Sequence, residues 1–151
     1  MSFFDKVKGA LTSGRDELTR QVGRYKNKKF MHGTVAVCAR IAVASDGVSA
    51  EEKQKMIGFL RASEELKVFE TTEVIEFFNK LVTSFDFDLE IGKGETMKYI
   101  LALKDQPEAA QLALRVGIAV AKSDGNFDDD EKSAVREIAR SLGFDPAEFG
   151  L

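Results

Sequence analysis

The sequence predicts an all-α fold, about seven helices in a single bundle built from two duplicated helical units. Three observations carry that prediction. Apolar residues recur at helical spacing over most of the chain. Two apolar runs, Ile41-Ala42-Val43-Ala44 and Ile118-Ala119-Val120-Ala121, lead into the same triplet, Ser45-Asp46-Gly47 and Ser123-Asp124-Gly125. Such self-similarity marks a repeated supersecondary unit. The 151 residues are 44% hydrophobic and 31% charged, with two prolines and one cysteine, which suffices for one packed core without a disulfide or a structural metal.

The elements follow in order. Phe3, Phe4, Val7, Leu11, Leu18 and Val22 outline an amphipathic helix weakened at Ser13-Gly14, with a basic polar side. Residues 24–29 read as a loop. A helix starting near Phe30 is apolar on nearly every face, as a central element surrounded by others must be, and it stops at Asp46-Gly47. Ser49-Ala50-Glu51-Glu52 forms a capping box for the next helix, whose buried stripe is Met56, Ile57 and Leu60. Residues 71–83 form a helix with Val74, Ile75, Phe78, Leu81 and Val82 inward. Phe85 to Ile91 then alternates apolar and acidic residues, and because a lone strand has nothing to pair with, the stretch reads as an extended linker punctuated by Gly92 and Gly94. A helix of Met97, Ile100, Leu101 and Leu103 comes next. Pro107 opens a further helix, all-round apolar from Leu112 to Ala121. Asp128 to Glu131 caps the last helix, carrying Val135, Ile138, Ala139 and Leu142, with Gly143 as its stop.

This divides the chain into a basic amphipathic segment, residues 1–29, and a helical domain, residues 30–151, whose repeats cover about 30–70 and 108–149. Residues 1–30 hold eight Lys and Arg against three Asp and Glu, a charge of +5; the overall charge of −3 leaves −8 for the rest. Arg20, Arg24, Lys26, Lys28 and Lys29 are the candidates for binding an anionic surface such as lipid headgroups, although a solvated helix face is the preferred account of them. A sequence pI near 5.3 argues against a nucleic-acid binder.

The duplicated turn is the candidate site. Asp46 corresponds to Asp124, Glu51 to Asp130 and Glu52 to Glu131, so each unit offers an aspartate at a helix end and a glutamate one turn into the next. Packing the two apolar helices side by side would pool these carboxylates at one end of the bundle. Oxygen donors alone suit a hard cation, Ca²⁺ or a similar divalent ion. The expected ligands are Asp46, Glu51, Glu52, Asp124, Asp128, Asp130 and Glu131. A self-sufficient EF-hand is excluded. With Gly125 at the sixth loop position, Val120 and Lys122 occupy positions one and three, and in the first copy Lys53 occupies position twelve. Helix capping is the competing account of Ser49, Glu52, Asp128 and Glu131, each cap contributing about 1 kcal/mol. It leaves Asp46 and Asp124, at the negative end of a helix dipole, without a reason.

The paired Ser-Asp-Gly turns, the basic leading segment and the overall length resemble the TerB-like family of bacterial tellurite resistance proteins across essentially the whole chain. The resemblance implies an all-α fold of duplicated units and acidic residues that chelate metal, which fall here on Asp46, Asp124, Glu52 and Glu131. It also implies a stress complex with a TerC-like integral membrane protein and TerD-like calcium-binding proteins. The first copy departs by lacking a residue after Gly47. The function expected is a non-catalytic cation-binding and interaction component of a tellurite-resistance system; a metal-dependent hydrolase and a metal-free scaffold are the alternatives.

Other chemistry finds little support. Cys38 sits in the most apolar helix with no basic neighbour to activate its thiol, and His32, six positions away, falls on another face. With one histidine, no phosphate loop and no nucleophile motif, the expectation is no enzyme. A single cysteine and no leader pattern imply the cytoplasm, and the resemblance adds a peripheral place at the inner membrane.

Overall fold

The computed structural model describes residues 28–44, 70–122 and 128–151. Among the described residues the chain is all-helical: α1 (Lys28–Ala42), α2 (Thr71–Phe87), α3 (Leu89–Leu101), α4 (Pro107–Lys122), α5 (Asp129–Ser141) and a closing 3-10 turn, Pro146–Phe149. The helices expected from Phe3 and from Ser49 lie outside the described residues. None of the described helices is long and apolar enough to cross a membrane.

α1 is the hub, touching α2, α3, α4 and α5. Its composition dictates this, because Phe30, Met31, Ala36, Val37, Ala39 and Ile41 spread around the helix and all are buried. A helix apolar on all sides must be enclosed. Phe78 and Leu81 from α2, Ile100 from α3, Leu103, Leu114 from α4 and Ile138 from α5 complete one core, each fully buried large side chain contributing roughly 1.5–3 kcal/mol.

Side-chain pairs fix the helix directions. Lys28 reaches Glu73 at 3.2 Å, and four residues further along each helix His32 stacks on Phe77, with ring centroids 4.2 Å apart. Equal steps in the same sense make α1 and α2 parallel. Phe77 meets Tyr99 at 4.6 Å while Phe85 lies against Gly92, so α3 runs antiparallel to α2. Lys29, in the first turn of α1, bonds Asp105, two residues before α4, at 2.7 Å. α1 and α4 pack against each other, so they run in the same sense from a common root pole, and their ends point to the opposite one.

The reading of residues 85–91 as an extended linker is corrected. α2 continues to Phe87 and α3 starts at Leu89; Asp88 alone is extended, at φ −165° and ψ 134°. Its side chain accepts from the N–H of Glu90 at 2.8 Å and of Ile91 at 3.1 Å, capping α3. The alternation arises where two helices meet at one residue. Gly92 and Gly94 therefore lie inside α3, though glycine costs about 1 kcal/mol in a helix interior. At Gly92 the packing explains the exception. A Cβ there would fall 2.8 Å from the Phe85 Cα and collide with its ring, so only glycine lets the hairpin close this tightly. Leu101 is 40% exposed, because α3 ends there and Leu103 turns into the core instead.

Candidate cation site

The α5 end of the candidate site is described in full. Asp128 Oδ1 accepts from the Glu131 N–H at 2.7 Å, and Glu131 Oε1 accepts from the Asp128 N–H at 3.2 Å. This is the reciprocal capping box that the sequence predicts. Glu131 is 4% exposed, its carboxylate held in place by the helix start it caps, whereas Asp129 and Asp130 are exposed. Three acids in the first turn of α5 also gain from the positive end of its dipole. The helix stops as expected, with Gly143 at φ +86°, a conformation glycine adopts without a Cβ penalty.

Asp46, Glu51, Glu52 and Asp124 lie outside the described residues. What is described is the pair of helices that leads to them. α1 continues through backbone bonds from Val43 to Ala39 and from Ala44 to Ile41, both 3.1 Å, and the first Ser-Asp-Gly triplet follows directly in sequence. α4 ends at Lys122, and the second triplet follows it. Among the described residues no group of three or more His, Cys, Asp or Glu side chains is arranged to hold a metal. Asp128 and Glu131 supply oxygen donors of the type a hard cation takes, and a full coordination shell requires the residues that follow α1 and α4.

One buried charge escaped the sequence reading. Arg40, in the last turn of α1, has a side chain only 8% exposed and pairs with Glu137 of α5 at 3.2 Å. The signal was available, since Arg40 has no acidic residue three or four positions away on its own helix. A buried guanidinium without a local partner must find one on a neighbouring helix. It ties the end of α1 to α5.

The root pole is chemically different. Lys28 and Lys29, two of the candidates for an anionic surface, are engaged by Glu73 and Asp105, and the Lys29 ammonium holds the Asp105 carboxyl below its ordinary pKa. Arg20, Arg24 and Lys26 lie outside the described residues. His32 packs between Phe77 and Tyr99. Desolvation lowers its pKa, Glu73 opposing and Lys28 and Lys80 reinforcing the shift. Lys28, Glu73, Glu76 and Lys80 rim an open hollow of about 270 Å³ over the His32 and Phe77 rings, where Lys28 pairs with Glu73. Cys38 is half-buried against the core, and burial pushes its thiol up to about 12, so it has no thiolate character near neutral pH.

The family model "Tellurite resistance protein TerB" matches residues 31–151. The chain is 95% identical over 118 residues to the "Tellurium resistance protein TerB" of an Alcaligenes species, covering 78% of this chain and 97% of that protein. No solved structure matches the chain.

Proposed function

The chain belongs to the TerB family of tellurite resistance proteins, and from that premise we propose that it is a non-catalytic component of a tellurite-resistance system that binds a divalent cation and engages protein partners. The observation that carries the reading is the parallel packing of α1 and α4, rooted together by the Lys29 to Asp105 bond. Two parallel helices of similar length, 15 and 16 residues, end at one pole, and a Ser-Asp-Gly triplet follows each of them in sequence. Asp46 and Asp124 are the central ligands, with Glu52 and Glu131 beside them and Glu51, Asp128 and Asp130 in support. The duplicated units, about 30–70 and 108–149, and a seven-helix bundle belong to the same reading, as do a TerC-like membrane protein, TerD-like proteins and an anionic membrane surface as partners.

Titration calorimetry of the whole chain with Ca²⁺ and Mg²⁺ tests it. Binding is expected, and Asp124→Ala removes it. If the chain gives no heat and no change in melting temperature with millimolar metal, the carboxylates serve as caps. Partner capture that ignores chelators would then favour the scaffold, a reading supported by the capping box that already occupies Asp128 and Glu131.

A further inference from the structure

The junction of α2 and α3 presents an apolar and acidic corner. Phe87, Leu89 and Ile91 are 81%, 54% and 45% exposed, and Asp86, Asp88 and Glu90, also exposed, alternate with them. Large apolar side chains left bare in a cluster mark an interaction surface more often than single ones do. The shape is held. Asp88 caps α3 with two hydrogen bonds, Phe85 closes over Gly92, and the Ser84 hydroxyl bonds the Leu81 carbonyl at 2.6 Å. Asp86 and Asp88 have no ion pair among the described residues, and Lys93 stands 3.9 Å from Glu90.

Charge decides what fits there. Three carboxylates repel anionic headgroups, so a membrane surface is disfavoured. The complementary partner is at once apolar and cationic. The first thirty residues of this chain have that character, with Phe3, Phe4, Val7 and Leu11 among Lys6, Lys8 and Arg15 and a charge of +5. This segment joins the bundle at Lys28, which Glu73 holds at the root pole, whereas the corner is 14 residues further along α2 at Phe87, about 21 Å away at 1.5 Å per residue. Two copies lying antiparallel set each root beside the other's corner.

We propose that the basic segment, residues 1–27, of a second copy of this chain docks on the corner formed by Phe87, Leu89 and Ile91, giving a two-fold dimer with two equal contacts. Phe87 is the anchor, and Asp86 and Glu90 select for the lysines. The inference stands independently of cation binding.

Sedimentation of the full chain over a range of concentrations tests it. The expected result is a dimer at low salt that dissociates at high salt. Phe87→Ser, and separately the pair Asp86→Lys and Glu90→Lys, should weaken association roughly tenfold or more. Both alter exposed side chains, and unchanged melting temperatures check that the fold is kept. Mixing the Asp86→Lys, Glu90→Lys chain with a Lys6→Glu, Lys8→Glu chain should restore association through swapped charges. A monomer at every concentration, a dimer indifferent to the corner variants, or a concentration-independent contact within one copy overturns the proposal.

Discussion

The two poles of the bundle spend their charges in opposite ways. At the root, where α1, α2 and α4 begin, each lysine of α1 meets a carboxylate of another segment, Lys28 with Glu73 and Lys29 with Asp105, above a packed set of His32, Phe77 and Tyr99. At the opposite pole α1 and α4 end, and Asp46 and Asp124 follow them in sequence. At the start of α5 the Asp128 and Glu131 carboxylates bond their own helix backbone. Opposite charges brought together by tertiary packing fix helix register. Like charges brought together repel, and they persist where backbone N–H groups, a helix dipole or a cation offsets the repulsion.

Substitutions sharpen that contrast. The largest effect should come from the root pole core: Phe30→Ala empties a position 1% exposed and should cost about 3–5 kcal/mol in urea unfolding. Gly92→Ala forces Phe85 off α3 and should cost about 1–3 kcal/mol by the same measurement, because the nearest obstacle includes backbone. Asp128→Ala removes the cap of α5 and should cost about 1 kcal/mol, whereas Asp128→Asn should lose only a few tenths, since an amide oxygen caps as well as a carboxylate. If the acidic pole binds metal, the two variants differ in stability but agree in a second measurement. Both should weaken Ca²⁺ affinity, because the cation needs the charge that the cap does not.

The root pole also carries a pH signature. His32 is the chain's single histidine, and desolvation depresses its pKa in the folded chain below the ordinary 6.5. The unfolded chain then takes up the proton first. Stability from this residue is complete above pH 6.5 and falls as the pH drops below that value toward the folded pKa. An NMR titration of the imidazole should give a midpoint below 6.5, and His32→Phe should flatten the melting temperature over that range. The smallest effect belongs to Lys28→Ala. Its side chain is 70% exposed, and breaking such a pair should change stability by less than about 1 kcal/mol.

Much of the fold was legible because it rests on local signals. Pro107 at a helix start, the Asp128 to Glu131 box and Gly143 at a helix end act within one turn, and the enclosed character of α1 follows from its own composition. Residues 85–91 misled because alternation is also what a helix junction produces when apolar side chains on each side of Asp88 stay exposed. The clue was Asp88 itself, an N-cap residue just ahead of Glu90. Gly92 could not be placed in a helix from propensity, since its reason is a ring from the preceding helix. Arg40 was hidden among apolar neighbours, its partner 97 residues away. Of the candidate site, the α5 cap and the helices leading to both triplets are described, while Asp46 and Asp124 lie outside the described residues.

The most direct measurement is an amide NMR titration of the full chain with Ca²⁺. A shared pole requires the resonances of Ser45 to Glu52 and of Ser123 to Glu131 to move together, with one affinity, and to stop responding together in Asp124→Ala. Movement in one segment alone, two unequal affinities, or spectra unchanged at millimolar Ca²⁺ would contradict a common cation site.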